Sequence, residues 1–164
     1  MTLIEEELHD IDFNTLLKEN IIEEFKNCPW MGFKEATFKE EGARKECKDC
    51  LIVHDSDVTL YLRFTHKFNY QFQALYGTLH VEMFPNSEKI KALIKSKDSE
   101  PIYKASFSSS YSLPLDETDR DKNAIAWAKD EGVLIKNAIR SIISEIRSSL
   151  KKALEHPETD TQKK

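Results

Sequence analysis

Residues 58–83 read VTLYLRFTHKFNYQFQALYGTLHVEM, and two alternating runs within them decide the fold. Val58, Leu60, Leu62 and Phe64 alternate with Thr59, Tyr61, Arg63 and Thr65. Further on, Leu75, Gly77, Leu79, Val81 and Met83 alternate with Tyr76, Thr78, His80 and Glu82. Successive side chains of a strand point to opposite faces, so this period of two predicts a pair of strands, each with one buried face. Asp55-Ser56-Asp57 before the first run and Pro85-Asn86 after the second read as breaks. Between the runs, Lys67 to Gln73 reads as an extended turn carrying Phe68, Tyr70 and Phe72.

Working outward, Ile102 to Leu113 predicts a third strand. Tyr103, Ala105, Phe107, Ser109, Tyr111 and Leu113 occupy its odd positions, and every even position from 106 to 112 is Ser. A serine row opposite aromatic residues implies one wet and one buried face, as in an antiparallel sheet. Between the second and third strands, Ile90, Leu93 and Ile94 recur at helical spacing within Glu88 to Ser96. That segment reads as a short helix or a flexible excursion.

Two helical stretches flank the strands. Asn14 to Asn27 predicts a helix with Asn14 as N-cap; Leu17, Ile21 and Phe25 share one face, widened by Leu16 and Ile22, and Pro29 stands just past the end. At the other end, Ile135, Ile139, Ile142, Ile143, Ile146, Leu150 and Leu154 form an apolar stripe in steps of three and four. This predicts a long helix from about Asp121 to Glu155, with Thr118 or Asp121 as N-cap. Gly132 marks a kink or a junction between two helices. Residues 30–39, with Phe33 and Phe38, are a candidate fourth strand, and residues 40–49 are a polar loop. The fold class is therefore α+β: an antiparallel meander of three to four strands packed by a long C-terminal helix and a shorter N-terminal one. One domain over residues 1–155 and a disordered tail at 156–164 complete the expectation.

Composition excludes some function classes. The chain of 164 residues is 40% hydrophobic with only four glycines, enough apolar material for a core and too few glycines for a phosphate-cradling loop. Net charge is −5, and residues 1–57 carry fifteen acidic against seven basic side chains. Nucleic-acid binding needs clustered Lys and Arg, so no nucleic-acid partner is expected. The basic excess of the last helix, at Lys136, Arg140, Arg147, Lys151 and Lys152, suits a helix C-terminus. No apolar run reaches the eighteen residues of a membrane-spanning helix. Met1 to Asp12 has neither the basic region nor the apolar run of a secretory signal. The compartment is cytoplasmic, or periplasmic or membrane-anchored if Met1 stands in place of a removed leader.

Candidate chemistry is sparse. Cys47-Lys-Asp-Cys50, with His54 and Cys28, offers four zinc-ligand types, although only one cysteine pair is close in sequence. The alternatives are loop thiols without a metal, or a disulfide from Cys28 to Cys47 or Cys50 in an oxidising compartment. His66 and His80 lie on or near neighbouring strands, and parity places His80 and Glu82 on the face opposite Leu79 and Val81, toward water. Ser108-Ser109-Ser110 lacks the Gly-x-Ser-x-Gly setting of a hydrolase nucleophile. Trp30 and Trp127 are core or docking aromatics, and mark a partner surface if exposed. No catalytic residue and no cofactor other than the alternative zinc is assigned.

Leu60-Tyr61-Leu62-Arg63-Phe64, Phe72-Gln73-Ala74-Leu75 and Leu79-His80-Val81-Glu82-Met83-Phe84-Pro85 together resemble a group of uncharacterised bacterial envelope proteins, often predicted lipoproteins. Pro101-Ile102-Tyr103 and Ala126-Trp127-Ala128 fit the same pattern, which spans about residues 50–150. The resemblance implies a bacterial source and a periplasmic home, and brings no activity or site residues. The expected function is a non-enzymatic binding or structural domain that engages another protein at a sheet edge or face. The alternative is a small metal- or ligand-binding module built on Cys47 and Cys50.

Overall fold

The computed structural model describes residues 3–29, 31–32, 57–94, 100–113 and 118–156. Cys47, Cys50, His54, Trp30, the Leu51–Val53 run and nearly all of the candidate strand at 30–39 lie outside them, as does the tail from 157. In chain order the elements are α1 (Leu3–His9), α2 (Phe13–Leu17), a π-helical turn (Lys18–Ile22), α3 (Glu23–Lys26), β1 (Val58–Phe68), β2 (Ala74–Pro85), α4 (Glu88–Ile94), β3 (Tyr103–Ser112) and α5 (Arg120–Glu155). The strands form one antiparallel sheet in the order β1-β2-β3, giving the α+β meander that the alternating runs predict. Two compact units divide the chain, one drawn from Met1–Ala36, Thr65–Thr78 and Phe107–Lys164, the other from Thr37–Phe64 and Leu79–Ser106. Each strand contributes residues to both units.

In the first unit, α2, the π turn and α3 make one continuous helical run. Its cap is Asp12 rather than Asn14: the carboxylate accepts from the Thr15 backbone N at 3.0 Å and from the Thr15 hydroxyl at 2.6 Å. Those bonds satisfy a donor of the open first turn and hold the Asp12 carboxyl below its ordinary pKa, the hydroxyl bond being the largest cause. The wider π turn lets the adjacent Ile21 and Ile22 both face inward, where they are buried with Leu17 and Phe25. Glu24 on this run accepts from Arg147 Nε of α5 at 2.6 Å. Helix α1, which no sequence pattern announced, buries Ile4 and packs on α5, with Glu7 3.5 Å from Lys136.

Helix α5 is two helices joined by a left-handed corner. Lys129 is extended, and Asp130, Glu131 and Gly132 follow at φ 54°, 58° and 65°. Gly132 is the junction that the sequence marks, and a Cβ there would lie 2.6 Å from a Glu7 carboxylate oxygen. Only glycine combines positive φ with so close an approach. Asp119, between the two expected caps, caps the first segment through Asp121 N and Lys122 N at 3.1 and 3.2 Å. The second segment buries Ile135, Ile139, Ile142, Ile143, Ile146 and Leu150, while Leu154 is half-buried.

The first segment grips the β1–β2 turn. Strand β1 runs three residues past the alternating run, to Phe68, which leaves a tighter turn than Lys67 to Gln73. Asn69 Oδ1 accepts from Gln73 N at 2.7 Å and Ala74 N at 3.2 Å, holding that turn from inside. Asn123 Nδ2 donates to the Gln71 carbonyl at 2.9 Å, and the Arg120 guanidinium lies 5.2 Å from the centroids of both Tyr70 and Phe72. Trp127 packs edge-on against Phe68 and Tyr111, with ring centroids 5.1 and 6.2 Å away.

In the second unit, β1 and β2 are closed by the Asn86 backbone, which donates to the Asp57 carbonyl at 2.8 Å, and by the Asn86 amide on the Thr59 hydroxyl. The expected short helix is present as α4, with the Ser87 hydroxyl accepting from Ile90 N at 3.3 Å.

Candidate functional site

Alternation sorts the second unit's side chains onto two faces. Leu79 and Val81 are fully buried on one. The other gathers Tyr61 and Arg63 from β1, His80 and Glu82 from β2, and Lys104 and Ser106 from β3, around an open cleft of ≈ 310 Å³. Register explains why these six meet. Asn69 N bonds the Ala74 carbonyl and Asn86 N bonds the Asp57 carbonyl at the two ends of the β1–β2 ladder. An antiparallel ladder between those ends sets Arg63 opposite His80 and Tyr61 opposite Glu82. Across to β3, His80 Nδ1 and the Ser106 hydroxyl are 3.0 Å apart, and Lys104 Nζ lies 3.5 Å from Glu82 Oε1. Two rows therefore cross the sheet, Arg63–His80–Ser106 and Tyr61–Glu82–Lys104.

The rows differ in electrostatics. Glu82 was expected to face water, yet it is only 8% exposed. A carboxylate so covered keeps its charge at lowest cost beside a cation, and Lys104 supplies one. Arg63 is exposed and has no carboxylate partner among the described residues. Burial is the main cause that pushes the His80 imidazole below its ordinary pKa; Arg63 and Lys104 push the same way, and Glu82 opposes them. Among the described residues the cleft thus gathers several hydrogen-bonding side chains and one carboxylate, which lies beside Lys104.

Other candidates fall elsewhere. Trp127, a candidate for a partner surface, is fully buried, and its indole N–H donates to the Phe72 carbonyl at 2.6 Å. It is a core residue that offers nothing to a partner. Trp30 lies outside the described residues, as do Cys47, Cys50 and His54; Cys28 is buried just beyond α3. Among the described residues no group of three His, Cys, Asp or Glu side chains is placed to hold a metal, and no helix is long and apolar enough to cross a membrane. His66 takes a partner apart from His80, stacking on Phe13 with ring centroids 5.2 Å apart, and burial lowers its pKa. Ser109 donates to Glu145 of α5, while its neighbours Ser108 and Ser110 are exposed.

Sequence reasoning missed Tyr61, Arg63, Lys104 and Ser106 as a group. Parity places each on a polar face, but only the register between strands sets them side by side. No family model, curated protein or solved structure matches the chain, so the resemblance to bacterial envelope proteins rests on the residues quoted for it alone.

Proposed function

We propose that this chain is a binding domain that engages another protein through the polar sheet face of the unit formed by Thr37–Phe64 and Leu79–Ser106. The observation that carries this reading is the convergence of Tyr61, Arg63, His80, Glu82, Lys104 and Ser106, from all three strands, on one open cleft. Side chains held on a strand scaffold are pre-ordered, so a partner that meets them loses little conformational freedom on binding. Tyr and Arg are also the residue types that most often anchor protein interfaces. Arg63, Lys104 and Ser106 are solvent-exposed, so a partner surface can reach them directly.

A photo-crosslinking amino acid at Ser106, compared with one at the exposed Ser148 of α5, tests the reading in cells of the source organism. The expected result is a discrete adduct from position 106 alone. Excess unlabelled wild-type chain abolishes that adduct, and a chain carrying Arg63→Glu and Lys104→Glu does not. Adducts of equal pattern from both positions, or an adduct that the doubly altered chain competes equally well, would overturn it.

A further inference from the structure

The cleft's charges and donors specify more than a generic docking surface. We infer that it binds a carboxylate of an acidic segment on the partner protein, with the Arg63 guanidinium as the principal contact and the His80 imidazole beside it. This rests on the reading of the sheet face as a docking surface.

The donor inventory comes first. Among the described residues, a guanidinium, an imidazole, an ammonium, a phenol and a hydroxyl line the cleft, against one carboxylate. Glu82 lies 3.5 Å from Lys104, so among the described residues Arg63 is the cleft's cation without a carboxylate beside it. Its planar fork matches a carboxylate with two parallel hydrogen bonds, geometry that an ammonium cannot offer. His80 stands opposite Arg63 on the next strand, so an anion seated on Arg63 lies beside the imidazole.

Arg63 and Lys104 against Glu82 leave these side chains with one net positive charge, which a single carboxylate neutralises. Phosphate is the competing anion, and the titration below separates the two. The exposure of Arg63 decides between a free carboxylate and one carried on a chain. An exposed ion pair is worth at most about 1 kcal/mol, too little to hold a small molecule. A peptide adds contacts along the sheet face and makes the pair part of a larger interface.

Proton linkage follows from the same geometry. Among the described residues, the titratable groups facing His80 are Tyr61 and Arg63 of β1, its own neighbour Glu82 on β2, and Lys104 of β3. An anion seated on Arg63 offsets the cationic repulsion that disfavours imidazolium, so binding takes up a proton and strengthens as pH falls.

Isotope-labelled full-length chain titrated with hexaglutamate, and separately with inorganic phosphate, tests this by NMR. The expected result is a set of shifts centred on residues 61–63, 80–82 and 104–106, with binding weakened by up to about fivefold in Arg63→Gln. Hexaglutamate should also bind more tightly at pH 6 than at pH 7.5, and His80→Gln should lose that dependence while keeping a native spectrum. Shifts confined to the basic face of α5, or unchanged by Arg63→Gln, would overturn the assignment. Phosphate that binds the same residues more tightly than hexaglutamate overturns the choice of carboxylate. If hexaglutamate fails while the Ser106 crosslink persists, the docking surface stands and the anion assignment alone is lost.

Discussion

Trp127 Nε1 donates to the carbonyl of Phe72 at 2.6 Å, across fifty-five residues of chain, and that carbonyl belongs to a non-glycine residue held at φ 53°. The turn between β1 and β2 and the first segment of α5 therefore hold each other. Phe72 keeps a costly left-handed backbone because its carbonyl has a buried partner, and Trp127 buries its ring because its N–H has an acceptor. Trp127→Phe should cost about 1–2 kcal/mol through the orphaned carbonyl. Trp127→Ala should cost about 3–5 kcal/mol through the added cavity. Urea denaturation of both variants checks the order; equal losses would show that the hydrogen bond contributes nothing.

Asn69 accepts two backbone N–H groups with one oxygen, so the shape of its side chain holds the β1–β2 turn. Asn69→Ala should destabilise the protein by about 1–2 kcal/mol. Asn69→Asp, which keeps an acceptor in place, should lose far less. Thermal melts of the pair decide the matter, and a matched loss in both would remove the turn from the account.

The left-handed corner of α5 separates two costs that usually come together. Gly132→Ala places a Cβ against the Glu7 carboxylate and also forces a non-glycine residue to φ 65°. Each left-handed non-glycine residue costs about 1–2 kcal/mol, so Glu7→Ala combined with Gly132→Ala should recover the clash with the carboxylate while retaining the backbone part and the contact with the position-7 Cβ at 2.8 Å. Asp130→Gly, at φ 54°, should stabilise by roughly 0.5 kcal/mol once the entropy of the freer unfolded glycine is deducted. A destabilised Asp130→Gly chain would mean that the aspartate has a role beyond its backbone.

His66 and His80 both have lowered pKa values, for which burial is the leading cause. The unfolded chain titrates its histidines near about pH 6.5 and so binds more protons than the folded one just below that value. Stability is therefore complete above about pH 6.5 and declines as pH falls toward the folded pKa values, where the loss levels off. Asp12 adds stability that is lost only in more acid solution, below the ordinary carboxyl value of 3.8. Melting temperatures between pH 7.5 and 5 should fall, and His66→Phe, which retains the stack on Phe13, should reduce the slope. An unchanged slope would assign the dependence elsewhere.

Cys28 is 6% exposed, behind the last turn of α3. Its alkylation in the native protein should be limited by local opening, and slower than in the denatured chain by orders of magnitude. Mass spectrometry of iodoacetamide time courses resolves this cysteine from the others. Equal rates in native and denatured protein would contradict its burial.

The elements were largely legible in the sequence because each depends on a local period. Alternation in β1, β2 and β3, the isoleucine stripe of α5 and the corner at Gly132 all appear within a few residues of one another. What escaped depends on partners far along the chain. Asp12 competes with Asn14 for the cap, and only the position of Thr15 decides between them. Helix α1 has no strong stripe and owes its place to the surface of α5. The candidate site was legible only in part: parity gave each polar residue its face, while the pairing of Arg63 with His80 and of Glu82 with Lys104 required the offsets between strands. Covered by its neighbours, Glu82 shows that a residue on the wet face of a sheet can still be withdrawn from water.

The π turn at Lys18–Ile22 gives the N-terminal run one place where its length can change. A π turn holds about one residue more than an α turn, so removing one residue there would leave a plain α-helix, with Glu24, Phe25 and Cys28 near their present faces. Only one of the adjacent inward pair Ile21 and Ile22 would be given up. Elsewhere between Asp12 and Cys28, dropping a residue would swing everything after it by about 100° and rewrite which side chains are inside. A relative one residue shorter at the π turn can therefore keep the same core, whereas a gap on either side of it cannot.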